Sequence, residues 1–259
     1  MTAATAGSET EPAPLPAAER FGEKRSADRH PLLQKRIFLP ILALLFVLNI
    51  PFLHLFLRGA QSTSATVPFI DDYERAELGP NYFATGGFWR IVHGWVYSPG
   101  AKNNPLWLRA KLPRDVVVEL DVKADSPDGD VKCEIFGDGR DHSTGYLLVM
   151  GGWHNTISTI ARLYEHGTDI TNLSGEKKAA AMQEGVYRVS RTDRKVERNR
   201  IYHWKIVRDG KTLTWYVDGD LFLQLEDPHP LYGPENDRFA FGTWATDAYF
   251  KNLTITPLR

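Results

Sequence analysis

The chain has 259 residues, with 31 Lys and Arg against 32 Asp and Glu, a net charge of −1 and a single cysteine. Balanced charge disfavours a nucleic-acid partner, and a lone thiol leaves no internal disulfide framework. No phosphate loop, Cys/His ligand spacing or Ser/His/Asp order is present, which disfavours nucleotide, zinc and serine chemistry.

Residues 1–20 are rich in Ala, Pro, Thr and Glu, too poor in apolar bulk to offset chain entropy. A disordered cytoplasmic head is therefore expected over residues 1–36. The run from Ile37 to Leu57 is apolar apart from Pro40, Asn49, Pro51 and His54. At about 1.5 Å per residue it is long enough to cross about 30 Å of hydrocarbon. Lys24, Arg25, Arg29, Lys35 and Arg36 precede it and only Arg58 closely follows, so the head stays in the cytoplasm and the tail is exported. The expected organisation is one transmembrane signal anchor at residues 37–57, a tether at 58–68 and one domain at 69–259. Its place is the plasma (inner) membrane, single-pass, with the domain periplasmic or extracellular. A cleaved signal peptide is the alternative; the length of the run and Arg58 argue against it.

In the tail the clearest strand is Val116 to Ala124, where Val116, Val118, Leu120, Val122 and Ala124 alternate with Glu119, Asp121 and Lys123. Shorter strand-like runs follow at Val131 to Phe136, Gly145 to Met150, Thr156 to Tyr164, Arg200 to Val207, Leu213 to Val217, Leu221 to Leu225 and Phe239 to Thr243. Cys133 reads as a small apolar strand residue. Asp209-Gly210 and Asp218-Gly219 sit between three of these runs and predict a three-stranded antiparallel meander. Gly175 to Gly185 is the one helical stretch. The apolar set of the last strand shifts phase between Phe250 and Leu253, as a β-bulge near Asn252 requires. Many short strands and frequent turns predict an all-β fold, an antiparallel β-sandwich preceded by one transmembrane helix.

The run Gly210 to Gly219, Phe239-Ala240-Phe241-Gly242-Thr243-Trp244 and Phe250 to Ile255 resembles the closing strands of concanavalin A-like lectin/glucanase jelly rolls. Asp71-Asp72-Tyr73 and Leu78 to Trp89 look like the first strand of that superfamily, nearest to its 3-keto-disaccharide hydrolase-like branch. The resemblance covers roughly Phe69 to Leu258 and implies a jelly roll that binds or cleaves carbohydrate. Laminarinase-type members carry Glu, Asp and Glu along one strand. Here Glu119 and Asp121 match the first two, but Lys123 or Ala124 stands at the third, so that mechanism lacks its acid. The pair reads better as a solvated strand face.

A second constellation follows the Gly151-Gly152 turn: Trp153, His154 and Asn155, with Arg162, Tyr164, Glu165 and His166 on the next arm. An aromatic plate for a pyranose face with amide, guanidinium and carboxylate groups for its hydroxyls suits a sugar. Trp153, His154, Asn155, Arg162, Tyr164 and Glu165 are therefore the candidate ligand residues. If the domain is an enzyme, Glu134, His154 and Glu165 are the candidate acid/base groups. No cofactor is required. A structural Ca²⁺ is one reading of Asp71, Asp72 and Asp247, because many jelly rolls of the resembled superfamily hold calcium where the first and last strands meet; turn-stabilising aspartates are the other reading. A second acidic set, Asp125, Asp128, Asp130, Asp138 and Asp141, matches no EF-hand loop. Trp204, Trp215 and Trp244 are expected in the core, and Arg188 to Arg200 as a solvated hairpin. The expected function is a membrane-anchored, exported domain that binds glycan or cell-envelope carbohydrate. The alternatives are a glycoside-active enzyme of the keto-disaccharide hydrolase type and a structural or protein-interaction sandwich.

Overall fold

The computed structural model describes residues 35–57 and 63–259; the expected disordered head, up to residue 34, and the start of the tether lie outside the described residues. The apolar run forms the helix Lys35–Leu57, with Pro40 and Pro51 inside it. Its described side chains, at residues 38–51, are all exposed. Among the described residues no helix is long and apolar enough to cross a membrane.

The C-terminal unit is built from strands β1 (Phe69–Asp71), β2 (Tyr82–Ala84), β3 (Arg90–Val92), β4 (Trp95–Ser98), β5 (Leu106–Leu108), β6 (Val116–Ala124), β7 (Val131–Gly137) and β8 (Tyr146–Gly151). They continue as β9 (Ile157–Arg162), β10 (Thr168–Asp169), β11 (Tyr187–Arg191), β12 (Tyr202–Asp209), β13 (Thr212–Val217), β14 (Asp220–Glu226), β15 (Arg238–Thr243) and β16 (Ala248–Pro257). One sheet runs β14-β13-β12-β6-β16-β4-β3, with β1 also on β16; the other runs β10-β11-β9-β8-β7-β15-β5-β2. All pairs are antiparallel except the two-residue β10–β11 contact. Packing begins before β1: Ala65 is buried, and the Ser64 and Ala65 amides both donate to the Arg109 carbonyl. The ordered domain thus starts inside the expected tether.

Local chemistry accounts for the frame. On β6 the five alternating apolar side chains are fully buried while Glu119, Asp121 and Lys123 are half-buried. The two Asp-Gly pairs close the β12-β13-β14 meander; Asp218 and Gly219 both take positive φ, 54° and 88°, the backbone a type I′ hairpin demands. Asn252 has φ of 53°, and the β16–β6 register shifts between Lys251 and Thr254, which is the anticipated bulge. Cys133 is buried and unpaired. The helix Gly175–Gln183 lies on the surface with only Ala181 buried.

The stretch before β6 departs from expectation. Leu78 to Trp89 is not one strand but the short β2 with loops on either side, and β3, β4 and β5 follow it unanticipated. The β3–β4 hairpin turns on His93 and Gly94, with φ of 50° and 72°. Three- and four-residue strands are too short for an alternation to register.

Candidate functional site

The second sheet has a face turned away from the core. Along β7, Val131, Cys133 and Ile135 enter the main core, so Lys132 and Glu134 between them point to the opposite face, where Leu147, Val149 and Ala161 form a separate buried cluster. Gly242 pairs with Lys132 across β15–β7. A Cβ there would lie 3.0 Å from Lys132 Cγ, so glycine leaves room for the lysine stem. At one corner of this face lies a cavity of about 460 Å³, walled by Trp153 and Trp244 and floored by Asn103, Asp130, Lys132 and Glu165.

Lys132 organises the floor. Its side chain is 4% exposed; Nζ donates to Asn103 Oδ1 at 2.9 Å and Glu165 Oε2 at 3.3 Å and lies 3.3 Å from Asp130 Oδ1. Asp130 Oδ2 accepts the Trp244 backbone N–H at 2.6 Å, which fixes that loop. Burial pushes the Asp130 carboxyl up, against the opposing pull of Lys132 and the Trp244 N–H. Burial acts on Glu165 in the same direction, but Lys132, His142 and His166 outweigh it and hold that carboxyl below the usual range.

Trp153 reaches the cavity from a left-handed turn. Gly151, Trp153, His154 and Asn155 all have positive φ, of 69°, 51°, 57° and 60°. Each non-glycine residue there carries roughly 1–2 kcal/mol of strain. The turn is held because the Asn155 amide accepts the Val196 N–H at 2.8 Å and donates to the Val196 carbonyl at 2.8 Å and the Pro127 carbonyl at 3.0 Å. One face of Trp153 carries the Arg188 guanidinium, 5.1 Å from the ring centroid, and the His166 ring packs edge-on against it. The His154 side chain is 90% exposed, so replacing it relieves strain and removes little packing. His154→Gly is expected to raise stability by about 0.5–1 kcal/mol, read as a later urea midpoint; an unchanged or earlier midpoint would show the turn to be unstrained.

Of the anticipated ligand residues, the structure brings Trp153, His154 and Glu165 to the cavity. Asn155 is buried and its amide is engaged in holding the turn. Arg162 lies outside the lining: its Nε donates to Asp227 Oδ2 at 2.8 Å, and its other nitrogens donate to the Gly185 and His229 carbonyls. Tyr164 is half-exposed beside His166 and does not line the cavity. Glu134 does not line it either. Glu134 accepts the backbone N–H groups of Ser143, Thr144 and Gly145 at 3.1, 2.8 and 2.7 Å, which braces the β7–β8 loop. The Glu119 and Asp121 pair faces solvent on the other sheet, against Lys205 and His203.

The three aspartates weighed for calcium are not brought together. Asp71 is bound by Arg75 and by the Tyr82 hydroxyl, Asp72 caps the Glu74 N–H, and Asp247 accepts the Tyr97 hydroxyl at 2.6 Å. Asp71 pairs with Leu253, which puts Asp247 roughly 15–20 Å away along β16. Among the described residues no group of three or more His, Cys, Asp or Glu is placed to hold a metal ion.

Sequence reading missed Asn103, Lys132 and Trp244 as site residues and weighed Asp128 and Asp130 only for calcium. Trp204 and Trp215 are fully buried as expected, but Trp244 is half-exposed. The available signal was Lys132, a lone cation inside the apolar alternation of β7.

No family model matches the chain, and no curated protein matches its sequence. Among solved structures it is similar to the carbohydrate-binding module CBM66 from Bacillus subtilis, with a TM-score of 0.53 and 16% identity over 70% of this chain and 98% of that one. It is also similar to an endo-beta-1,3-glucanase from Pyrococcus furiosus, with a TM-score of 0.48 and 12% identity over 72% of this chain and 92% of that one. The fold is a two-sheet antiparallel β-sandwich of the jelly-roll type, shared with that carbohydrate-binding module, and an identity this low speaks to fold alone.

Proposed function

We propose that the protein is a membrane-anchored glycan-binding protein whose exported jelly roll holds a saccharide between Trp153 and Trp244. The cavity itself carries this reading: two tryptophans wall a space of about 460 Å³ over a floor of polar groups hydrogen-bonded around the buried Lys132. Aromatic walls take the apolar faces of a pyranose, and Asn103 and Glu165, positioned by Lys132, address its hydroxyls. The fold shared with a carbohydrate-binding module supports the ligand class. The helix Lys35–Leu57, its basic N-terminal flank and the exposed apolar side chains at residues 38–51 support an anchor in the plasma (inner) membrane, with the N-terminus cytoplasmic and the domain periplasmic or extracellular.

A second reading is a glycoside-active enzyme. It is favoured by Asp130 and Glu165, which flank Lys132 with carboxyls displaced in opposite directions, the pattern of an acid and a base sharing one site. The test for both is a saccharide-binding screen of the full chain in detergent, with bound sugars analysed for cleavage. Binding without products supports the recognition reading, and products move the enzyme to first place. Trp153→Ala is expected to weaken binding about 30-fold, the effect of losing a central aromatic anchor worth about 2 kcal/mol. Unchanged affinity would remove the saccharide from this cavity.

A further inference from the structure

We infer that the sugar unit entering this cavity is uncharged, and that the site rejects units bearing carboxylate, sulfate or phosphate. The inference rests on the glycan-binding reading above and adds a ligand class to it. Three carboxylates line the cavity, Asp128, Asp130 and Glu165, against one ammonium, Lys132. An ammonium has three donors, and those of Lys132 face Asn103, Glu165 and Asp130, leaving none for an incoming anion. Two other cations beside the tryptophan walls, Arg188 and Lys102, already have partners. Arg188 lies against the Trp153 ring, donates to the Glu165 carbonyl at 2.8 Å and sits 3.6 Å from Asp169. Lys102 lies over the Trp244 ring at 5.1 Å. The imidazoles at the rim face carboxylates, His154 against Asp128 at 3.5 Å and His166 against Glu165 at 3.7 Å.

An anionic sugar would therefore bring its charge against an excess of carboxylate. Neutral hydroxyls meet the opposite situation. They are donors, and the floor is rich in acceptors. Electrostatic mismatch of this kind acts on specificity by penalising the wrong ligand.

The test uses matched pairs of probes on the full-length protein in detergent at pH 8, where imidazole is ordinarily uncharged. The probes are oligosaccharides of galacturonate, glucuronate, mannuronate and guluronate, each before and after reduction of its carboxyl groups to the neutral hexose. The expected result is that a reduced oligosaccharide binds and its acidic parent binds at least about tenfold more weakly. In Asp128→Asn, which removes one exposed carboxylate, that ratio narrows about two- to fivefold. An acidic parent that binds as tightly as its reduced form overturns the inference while leaving glycan binding standing. A ratio unmoved by Asp128→Asn overturns its electrostatic cause. Failure of every member of the panel to bind overturns the glycan reading of the cavity, and the inference with it.

Discussion

Lys132→Met is expected to lower stability by about 3–5 kcal/mol at pH 7, because it removes the cation from a wall that keeps its two carboxylates. Methionine preserves most of the stem volume beside Gly242, so the loss reports charge rather than packing. The lysine is 4% exposed and stands 3.3 Å from both Asp130 and Glu165; without it neither carboxylate has a buried cation. The pH dependence gives the sharper signature. In the native protein Glu165 is held below its ordinary range, so its contribution is present above about pH 4 and is lost as pH falls. Asp130 is raised by burial, so its contribution runs the other way, improving as pH falls through its elevated value. In the variant both carboxyls lack the lysine and both rise, and stability should increase as pH falls from 7 to 5. Urea unfolding followed by tryptophan fluorescence at several pH values checks this. A variant as stable as the native protein at pH 7, with a parallel pH profile, would show that Lys132 does not hold the cavity wall.

What was legible in the sequence follows the length of each signal. β6 is nine residues of strict alternation, and its bounds were read as they stand. The meander was legible because Asp-Gly forces positive φ at a known place. β2 to β5 were not, since strands of three or four residues take their stability from neighbours far along the chain rather than from local pattern. The site divided in the same way. Trp153, His154 and Glu165 stand near one another in sequence and in space. Asn103, Lys132 and Trp244 arrive from three loops and strands that only the sheet order β8-β7-β15-β5 brings together. Asn155 and Arg162 stand outside the cavity lining for one shared reason. Both carry the right groups for a sugar, but each had a backbone carbonyl within reach, and a buried polar side chain satisfies itself within the fold first.

Asp227→Ala is the second large loss expected, about 3–5 kcal/mol, and it follows from the position Arg162 takes up. Asp227 is 2% exposed and accepts the Tyr146 hydroxyl, Arg162 Nε at 2.8 Å and the His229 N–H at 2.8 Å. Tyr146 in turn accepts the Leu231 N–H at 2.9 Å, so one carboxylate pins residues 227–231 across β8 and β9. Alanine leaves the Arg162 guanidinium, 11% exposed, with neutral carbonyls and the Tyr187 ring, and takes away the acceptor of the tyrosine hydroxyl. Burial raises the Asp227 carboxyl, but hydrogen bonds from Tyr146, the His229 N–H, Tyr187 and Arg162 outweigh it and the net displacement is downward. Its contribution is therefore present above about pH 4 and fades as pH falls, so the gap between native and variant should close toward acid. Asp227→Asn, which keeps hydrogen bonding without the charge, should fall between the two. None of these residues lines the cavity, so saccharide affinity of the folded variant should match the native protein. A stability gap that stays constant from pH 7 to 3 would assign the loss to packing and remove the carboxylate from the account.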